Sequence, residues 1–154
     1  MSPEEELRFL ILGAQREGNR LLGGLLAPLG VTPSQAEVIS CLGTGGEMSL
    51  SALGKLLVCE TGSPSRLVDT LVGRNLVVRR ENPADRRQVT LGLTAEGARL
   101  AADIAGVEDQ LYGWMHQQLG PANIAAAAEP LRKLVAETPS GSAIARRSSS
   151  AKPD

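Results

Sequence analysis

Apolar residues recur at steps of three and four along most of this chain, which is the spacing of one face of an α-helix. The first such stretch begins at Ser2-Pro3, a serine cap followed by proline, and should end near Ala27. Its apolar stripe comprises Leu7, Leu10, Ile11, Ala14, Leu21, Leu22, Leu25, Leu26 and Leu29. The stripe is longer than one small domain needs, which favours a second chain packed against it; covering its own core is the simpler alternative.

Three shorter helices follow, and each has a side chain that can cap the N-terminus. Thr32-Pro33-Ser34-Gln35 has the pattern of a capping box, and its helix should end in the glycine-rich run at 43–46. Ser49 caps the second, which a turn over Cys59-Glu60-Thr61-Gly62 connects to a third helix. The third has two candidate caps, Thr61 and Ser63, and should end near Arg74-Asn75, where Asn can take a left-handed conformation. Two short helices joined by a tight turn are a motif that can place the second helix in the major groove of DNA.

The spacing of apolar residues then changes from helical to alternating. Residues 77–80 and 88–93 are predicted to form two strands, and the second alternates apolar and polar side chains as a half-buried strand does. Asn82-Pro83-Ala84-Asp85 between them consists of residues that favour turns. A hairpin directly after a helix-turn-helix predicts a winged helix-turn-helix, with the hairpin as its wing.

Two helical stretches and a polar tail complete the chain. Thr94 caps a long helix that should run to Gly120, and Pro121 begins the last helix. Beyond Thr138 the sequence is serine-rich with few apolar residues, which predicts a mobile tail. The expected fold class is therefore mainly α with a small β-hairpin wing.

Charge is distributed unevenly along the chain. The formal net charge of the 154 residues is −1, which alone would argue against a nucleic-acid partner. Residues 55–99 nevertheless contain eight basic and five acidic residues, whereas residues 1–54 contain three basic and six acidic residues. Positive charge is thus concentrated where the helix-turn-helix and the hairpin are predicted, and this local field matters more for DNA binding than the total.

Several classes of function lack the residues they require. Two cysteines and a single histidine exclude a structural zinc site with four Cys or His ligands, and no cofactor is expected. No carboxylate pair in an apolar setting and no glycine-rich phosphate loop after a strand leave no enzyme chemistry to name. No apolar run approaches the ~20 residues of a membrane span, and no secretion signal is recognised. A cytoplasmic protein with reduced thiols is expected.

The run from Arg66 to Gly97, RLVDTLVGRNLVVRRENPADRRQVTLGLTAEG, resembles the multiple-antibiotic-resistance regulator (MarR) family of bacterial transcription factors. Its most specific parts are Asp85-Arg86-Arg87-Gln88-Val89 in the wing and Leu93-Thr94-Ala95-Glu96-Gly97 at the start of the next helix. The motifs span residues 31 to 97, and the order of the flanking helices extends the resemblance to residue 137.

This resemblance implies a homodimeric transcriptional regulator that binds double-stranded DNA at a palindromic operator, most often as a repressor. Each recognition helix would enter a major groove and each wing a neighbouring minor groove. Many family members release DNA on binding a small phenolic ligand or on cysteine oxidation, so a small-molecule effector is an expectation. The implied organisation is a dimerisation helix at 1–30, a winged helix-turn-helix DNA-binding domain at 31–94, dimerisation helices at 95–138 and the mobile tail at 139–154.

The predicted DNA contacts on the recognition helix lie near its N-terminal end, where side chains meet bases and backbone amides meet phosphates. They are Thr61, Ser63, Ser65 and Arg66. Arg66 suits a guanine or a phosphate. The sequence departs from the family pattern here, because Gly62 and Pro64 stand where Arg, Thr or Ser are usual, so the individual base contacts stay open.

The predicted DNA contacts in the wing are Asp85, Arg86 and Arg87. Asp85 and Arg87 are two residues apart and can share one face, and a carboxylate that orients a guanidinium prepares it for a narrow minor groove. By resemblance Arg87 is inserted, Asp85 holds it and Arg86 is available for phosphate; the alternative is an ordinary surface ion pair. Four further cations are either phosphate contacts or solvated charges: Lys55, Arg74, Arg79 and Arg80.

Two further sets of residues have alternative interpretations. Cys41 and Cys59 are either structural or a thiol-based redox sensor, and the structural role is favoured because neither has a neighbouring His or Lys to lower its pKa. Tyr112, Trp114 and His116 either pack in the core or dimer interface or line a ligand pocket, and no ligand-binding residue is assigned. The alternative function is a winged-helix module for protein assembly without DNA, which the wing arginines disfavour.

Overall fold

The computed structural model describes residues 1–59, 62–82 and 85–150, with side chains except at positions 82, 86–88 and 150. In chain order its elements are α1 (Pro3–Leu26), α2 (Pro33–Gly45), β1 (Met48–Ser49), α3 (Leu50–Gly54), α4 (Pro64–Gly73), β2 (Val77–Asn82), β3 (Asp85–Leu93), α5 (Ala95–Leu119), α6 (Pro121–Val135) and α7 (Pro139–Ser150), with a 3-10 turn at Ala27–Leu29. The prediction of a mainly α-helical fold with a small β wing is confirmed.

The helix boundaries follow from capping side chains that the sequence indicates. The Gln35 backbone N–H donates to Thr32 Oγ1 at 3.3 Å, and the Thr32 N–H donates to Gln35 Oε1 at 3.0 Å, which completes the predicted capping box. Three further hydroxyls accept from the amide three residues on: Ser2 from Glu5, Ser49 from Ala52 and Thr94 from Gly97. Asn75 follows α4 with a left-handed φ of 57°, as predicted.

The strands form one antiparallel sheet in the order β1-β3-β2. Met48 of β1 pairs with Leu91 of β3. Strands β2 and β3 form the predicted two-stranded hairpin. The sequence does not predict β1, because this strand has two residues and is too short to show an alternating pattern. The other two strands are longer than the predicted 77–80 and 88–93, since β2 ends at Asn82 and β3 begins at Asp85. Residues 83 and 84, which belong to the predicted turn, lie outside the described part of the chain.

The core lies between the helix-turn-helix, the sheet and the first half of α5. Its fully buried side chains come from five helices and the two longer strands: Leu26, Val38, Ile39, Leu53, Val68, Leu71, Val77, Leu91 and Ile104. Burying a side chain of this size contributes about 2 kcal/mol. Helix α2 has the longest run of buried residues, from Ala36 to Ile39, and is therefore the central helix of the domain.

Residues 139–150 form α7, so the prediction of a mobile tail is wrong for them. Thr138 caps this helix, with its Oγ1 accepting from the Gly141 N–H at 3.1 Å. The helix is not predicted because the composition of this segment is serine-rich with few apolar residues. Ser148 and Ser149 are compatible with it, because each hydroxyl donates to the carbonyl oxygen four residues earlier, at 3.1 Å. The last four residues of the expected tail lie outside the described part of the chain.

Gly97 lets the first turn of α5 pass close to the backbone of Leu76. A Cβ at Gly97 would lie 2.0 Å from the Leu76 carbonyl oxygen. Gly97→Ala should therefore destabilise the fold by at least about 2 kcal/mol, measured as a lower midpoint of thermal unfolding. Gly106→Ala in the same helix is the matched control: nothing lies within 4 Å of its Cβ, so it should stabilise the fold slightly. Equal midpoints for the two variants would contradict the close approach.

Candidate DNA-binding surface

Helix α4, the predicted recognition helix, has one buried and one exposed face. Val68 and Leu71 are fully buried, whereas Arg66, Asp69 and Thr70 are exposed. The hydrogen bond from Thr70 Oγ1 to the Arg66 carbonyl oxygen, at 3.0 Å, stays within the helix. The helix therefore presents Arg66, a predicted DNA contact, on the side away from the core.

The N-terminal end of α4 carries the other predicted contacts of this helix. Ser63 is the N-cap residue and Pro64 the first helical residue, which decides between the two predicted caps, Thr61 and Ser63, in favour of Ser63. The Ser63 and Ser65 hydroxyl oxygens lie 2.7 Å apart. Thr61 lies outside the described part of the chain. The structure thus brings Ser63, Ser65 and Arg66 together at one end of α4.

A buried carboxylate, which sequence reasoning missed, anchors the turn before α4. Glu37 of α2 is 6% exposed; its Oε1 accepts from the Val58 N–H and its Oε2 from the Cys59 N–H, both at 2.8 Å. Arg147 of α7 donates to Oε1 at 2.7 Å. A buried charge is tolerated when it is paired and hydrogen-bonded, as here. The available signal was a single Glu inside the apolar run from Ala36 to Leu42.

Two of the arginines predicted as phosphate contacts have partners at the base of the wing. Arg79 of β2 pairs with Asp69 on the exposed face of α4, and Arg80 pairs with Glu47 just before β1. Both pairs are at the surface and contribute little to stability. Their consequence is positional, because they connect the wing to the recognition helix and to the start of the sheet.

Arg74 and Lys55 differ in their surroundings. Arg74, at the end of α4, donates from Nη1 to the Gly30 carbonyl oxygen at 2.9 Å and lies 3.5 Å from Gln35 Oε1. These contacts hold the end of α4 to the start of α2, which favours a structural role for Arg74. Lys55 follows α3 in an exposed position, as expected of a phosphate contact or a solvated charge.

The tip of the wing holds the remaining predicted contacts. Asp85 is exposed at the start of β3. Arg86 and Arg87 belong to β3, but their side chains lie outside the described part of the structure, so the pairing of Asp85 with Arg87 stays a prediction. Along β3 the exposed fraction falls from 38% at Val89 to 2% at Leu91, so the strand leads from the surface into the core.

The two cysteines are poorly suited to redox sensing. Cys41 is buried in α2 and Cys59 is exposed in the turn before α4. Desolvation raises the pKa of both thiols, and the negative charge of Glu37 raises it further, against the opposing effect of Arg147. A raised pKa keeps the thiol protonated near neutral pH, whereas the thiolate is the reactive form. The surroundings therefore favour a structural role.

The rate of alkylation measures the reactivity of the two thiols directly. At pH 7 both thiols should react with iodoacetamide more slowly than free cysteine, and the rate should rise as the pH passes above the ordinary thiol pKa of about 8.5. Mass spectrometry of Cys41→Ser and Cys59→Ser, each with one thiol left, separates the two sites. Cys41 should be the slower because it is buried. A thiol that outpaces free cysteine at pH 7 would restore the redox alternative.

Large apolar side chains are exposed toward both ends of the chain. In α1 they are Leu7, Phe9, Leu10, Ile11 and Leu12, and in the C-terminal helices Tyr112, Trp114, Leu119, Leu131, Leu134 and Ile144. The exposed fraction reaches 62% at Leu10 and 63% at Leu134. Large contiguous apolar patches mark interaction sites in soluble proteins. The simpler alternative for the apolar stripe of α1 is that it covers the core of its own chain. The first half of α1 does not do so, because its large apolar side chains are exposed.

The aromatic cluster on α5 lies at the surface. Tyr112 is 52% exposed and Trp114 48% exposed, so packing in the core of the single chain is wrong for both, and packing in a dimer interface stays a prediction. His116 is also exposed. An open groove of about 680 Å³ lies elsewhere, between α3 and α7, with Lys55 and Arg146 in its lining.

The described residues form neither a membrane-spanning helix nor a metal-binding cluster. No helix in residues 1–59, 62–82 and 85–150 is long and apolar enough to span a membrane. Over the same ranges, no group of three or more His, Cys, Asp or Glu side chains is placed to hold a metal ion. The surface formed by α4 and the wing is the candidate DNA-binding site.

The order of elements and the sheet topology define a winged helix-turn-helix protein with additional helices from both ends of the chain. The chain belongs to the MarR family, whose profile matches residues 31–89. The multiple antibiotic resistance protein MarR of Escherichia coli K12 is 32% identical over 111 residues, which cover 71% of this chain and 74% of that protein. The family predicted from the wing motif is thereby confirmed.

Two further similarities concern the same family. MarR of Salmonella typhimurium is 32% identical over 91 residues, 59% of this chain, and the match spans 63% of that relative's length. A crystal structure of a MarR variant from E. coli in complex with operator DNA superposes with a TM-score of 0.76 at 28% identity, covering 84% of this chain and 94% of that one. The similarity of fold therefore extends beyond the winged helix-turn-helix to the flanking helices.

Proposed function

We propose that this protein is a homodimeric, sequence-specific DNA-binding transcriptional regulator, most consistent with a repressor of the MarR type. The observation that carries the proposal is the connection of helix and wing: α4 exposes Arg66, and its Asp69 pairs with Arg79 of β2. A basic, exposed helix end is thus held beside a hairpin with an arginine-rich tip. The relative bound to operator DNA has the same fold, which supports the proposal.

In the proposed complex, the N-terminal end of α4 enters the major groove and the wing reaches the adjacent minor groove. Helix termini of this polarity favour phosphate, and polar side chains there can meet base edges. A guanidinium suits a narrow minor groove because the negative potential is strongest there. The proposed contacts are Ser63, Ser65 and Arg66 at the N-terminal end of α4, Thr61 shortly before it in the sequence, and Asp85, Arg86 and Arg87 in the wing, with Arg87 inserted.

Two copies are proposed to pack through the exposed apolar side chains of α1, α5 and α6. A twofold dimer reads a palindromic operator with half-site centres about 34 Å apart. Bound across a promoter, such a dimer blocks transcription. A small effector would act by binding one state of the dimer better than the other, and its binding residues are not assigned. The proposed place of action is the cytoplasm, and no catalytic role is proposed.

Arg87→Ala tests the role of the wing. It should lower the affinity for a duplex that the wild-type protein selects from random DNA by about tenfold, measured by gel shift. Arg132→Ala is the matched control, because it removes the same charge from an exposed pair with Glu129 on α6. The control should bind within about twofold of wild type. Equal binding by Arg87→Ala would favour the protein-assembly alternative.

Leu10→Glu tests the proposed dimer. A charge at this 62% exposed apolar position should be tolerated by a monomer but not inside an interface. Sedimentation should show dissociation, and operator affinity should fall with it. Asn19→Glu places the same charge nine residues along α1, on the opposite face, since each residue turns the helix by about 100°. A stable Leu10→Glu dimer would place the interface elsewhere.

A further inference from the structure

Among the described residues, Glu37 is the one charged side chain that is buried, and it joins three parts of the protein. The residue belongs to α2, its two oxygens accept from the backbone of Val58 and Cys59, and Arg147 of α7 donates to Oε1 at 2.7 Å. Val58 and Cys59 lie in the turn that leads from α3 to α4. One carboxylate thus connects the C-terminal helix to the entrance of the recognition helix.

The start of α4 depends on this anchor because its own cap is weak. Within the described residues, no side-chain hydrogen bond caps α4: the Ser63 hydroxyl lies 2.7 Å from that of Ser65 instead. Gly62 and Pro64, on either side of Ser63, have no side-chain oxygen that could accept from a backbone N–H of the first turn. The position of the helix N-terminus therefore rests on the backbone of the preceding turn, which Glu37 fixes.

Helix α7 is itself held firmly against α6. The Thr138 Oγ1 donates to the Val135 carbonyl oxygen at 2.7 Å and accepts from the Gly141 N–H at 3.1 Å. A Cβ at Gly141 would lie 1.9 Å from the Val135 oxygen, so the two helices cross in close contact. Ala143 is 2% exposed. The direction of α7, and with it the position of Arg147, follows from the end of α6.

We infer that Glu37 and Arg147 are positioning residues for DNA recognition: through this buried ion pair, α7 holds the turn that sets the N-terminal end of α4. The inference rests on the proposed DNA-binding function. Arg147 acts through Glu37 and the backbone of residues 58 and 59, without itself contacting DNA.

Loss of Arg147 leaves the carboxylate in an unfavourable position. A buried carboxylate that has lost its cation is favoured to turn toward water. This movement weakens its hold on the Val58 and Cys59 amides, because a displaced carboxylate no longer meets both N–H groups. The recognition helix then samples positions that do not fit the base edges. Attraction to phosphates is unchanged, because it depends on other cations.

The test compares Arg147→Ala, Arg147→Lys and Arg146→Ala in the full chain. Arg146 is the matched control, because its replacement removes the same charge from the next position of the same helix. Each variant is titrated at several salt concentrations against two duplexes of equal length: one selected from random DNA by the wild-type protein, and one of unrelated sequence. Amide hydrogen exchange at Val58 and Cys59 is measured without DNA.

Arg147→Ala should bind the selected duplex about tenfold more weakly. Its affinity for the unrelated duplex and its salt dependence should match wild type, because no phosphate contact is lost. Exchange at the Val58 and Cys59 amides should be faster. Arg147→Lys keeps a cation near Glu37 and should recover most of the affinity, and Arg146→Ala should leave exchange at the turn unchanged.

Two outcomes would overturn the inference. One is wild-type affinity of Arg147→Ala for the selected duplex. The other is an equal loss on both duplexes with a smaller salt slope, which would make α7 a direct DNA contact.

Should Arg147→Ala fail to fold, the double variant Glu37→Gln with Arg147→Ala removes the unpaired charge, and full affinity in that variant would also overturn the inference. A wild-type protein that selects no duplex refutes the proposed function itself, while the exchange rates still report on the turn.

Discussion

Burial of one face of α4 is the constraint on which the candidate DNA-binding surface depends. Val68 and Leu71 are fully buried, and truncating such a side chain costs about 2–5 kcal/mol. The surface pair between Arg79 and Asp69 contributes far less, at most about 1 kcal/mol. The core therefore decides which face of the helix is left for DNA, and the ion pair adjusts the wing relative to a helix that is already fixed.

The sequence predicts those parts of the fold that local chemistry specifies. The capping box at Thr32 and the left-handed Asn75 each need a few neighbouring residues, and both are found as predicted. Strand β1 could not be predicted from local sequence, because its two residues pair with residues about forty positions away. Helix α7 has the same Thr-Pro start as α2, but a serine-rich composition outweighs that signal. The side-chain contacts of the wing tip stay predictions.

Glu37 shows why part of the candidate surface cannot be read from the sequence. A single carboxylate in an amphipathic helix is ordinarily a solvated residue. Its role appears when the turn at Val58 and Cys59 and the end of α7 converge on it, and these are 21 and 110 residues away along the chain. Convergence of this kind is a property of the tertiary fold, whereas periodicity and capping are properties of short segments.

Two physically different contacts join helices α5 and α7 to the winged helix-turn-helix. In α5, Ile104 is buried in the core, whereas Trp114, ten residues further along, is 48% exposed. One continuous helix therefore contributes both to the core and to the exposed apolar surface. Apolar contacts of this kind have no directional requirement and tolerate small shifts. The bond from Arg147 to Glu37 is directional, and a buried carboxylate without its partner is unstable. The apolar packing of α5 therefore contributes stability to the core, and the ion pair of Arg147 with Glu37 fixes the position of the turn before α4.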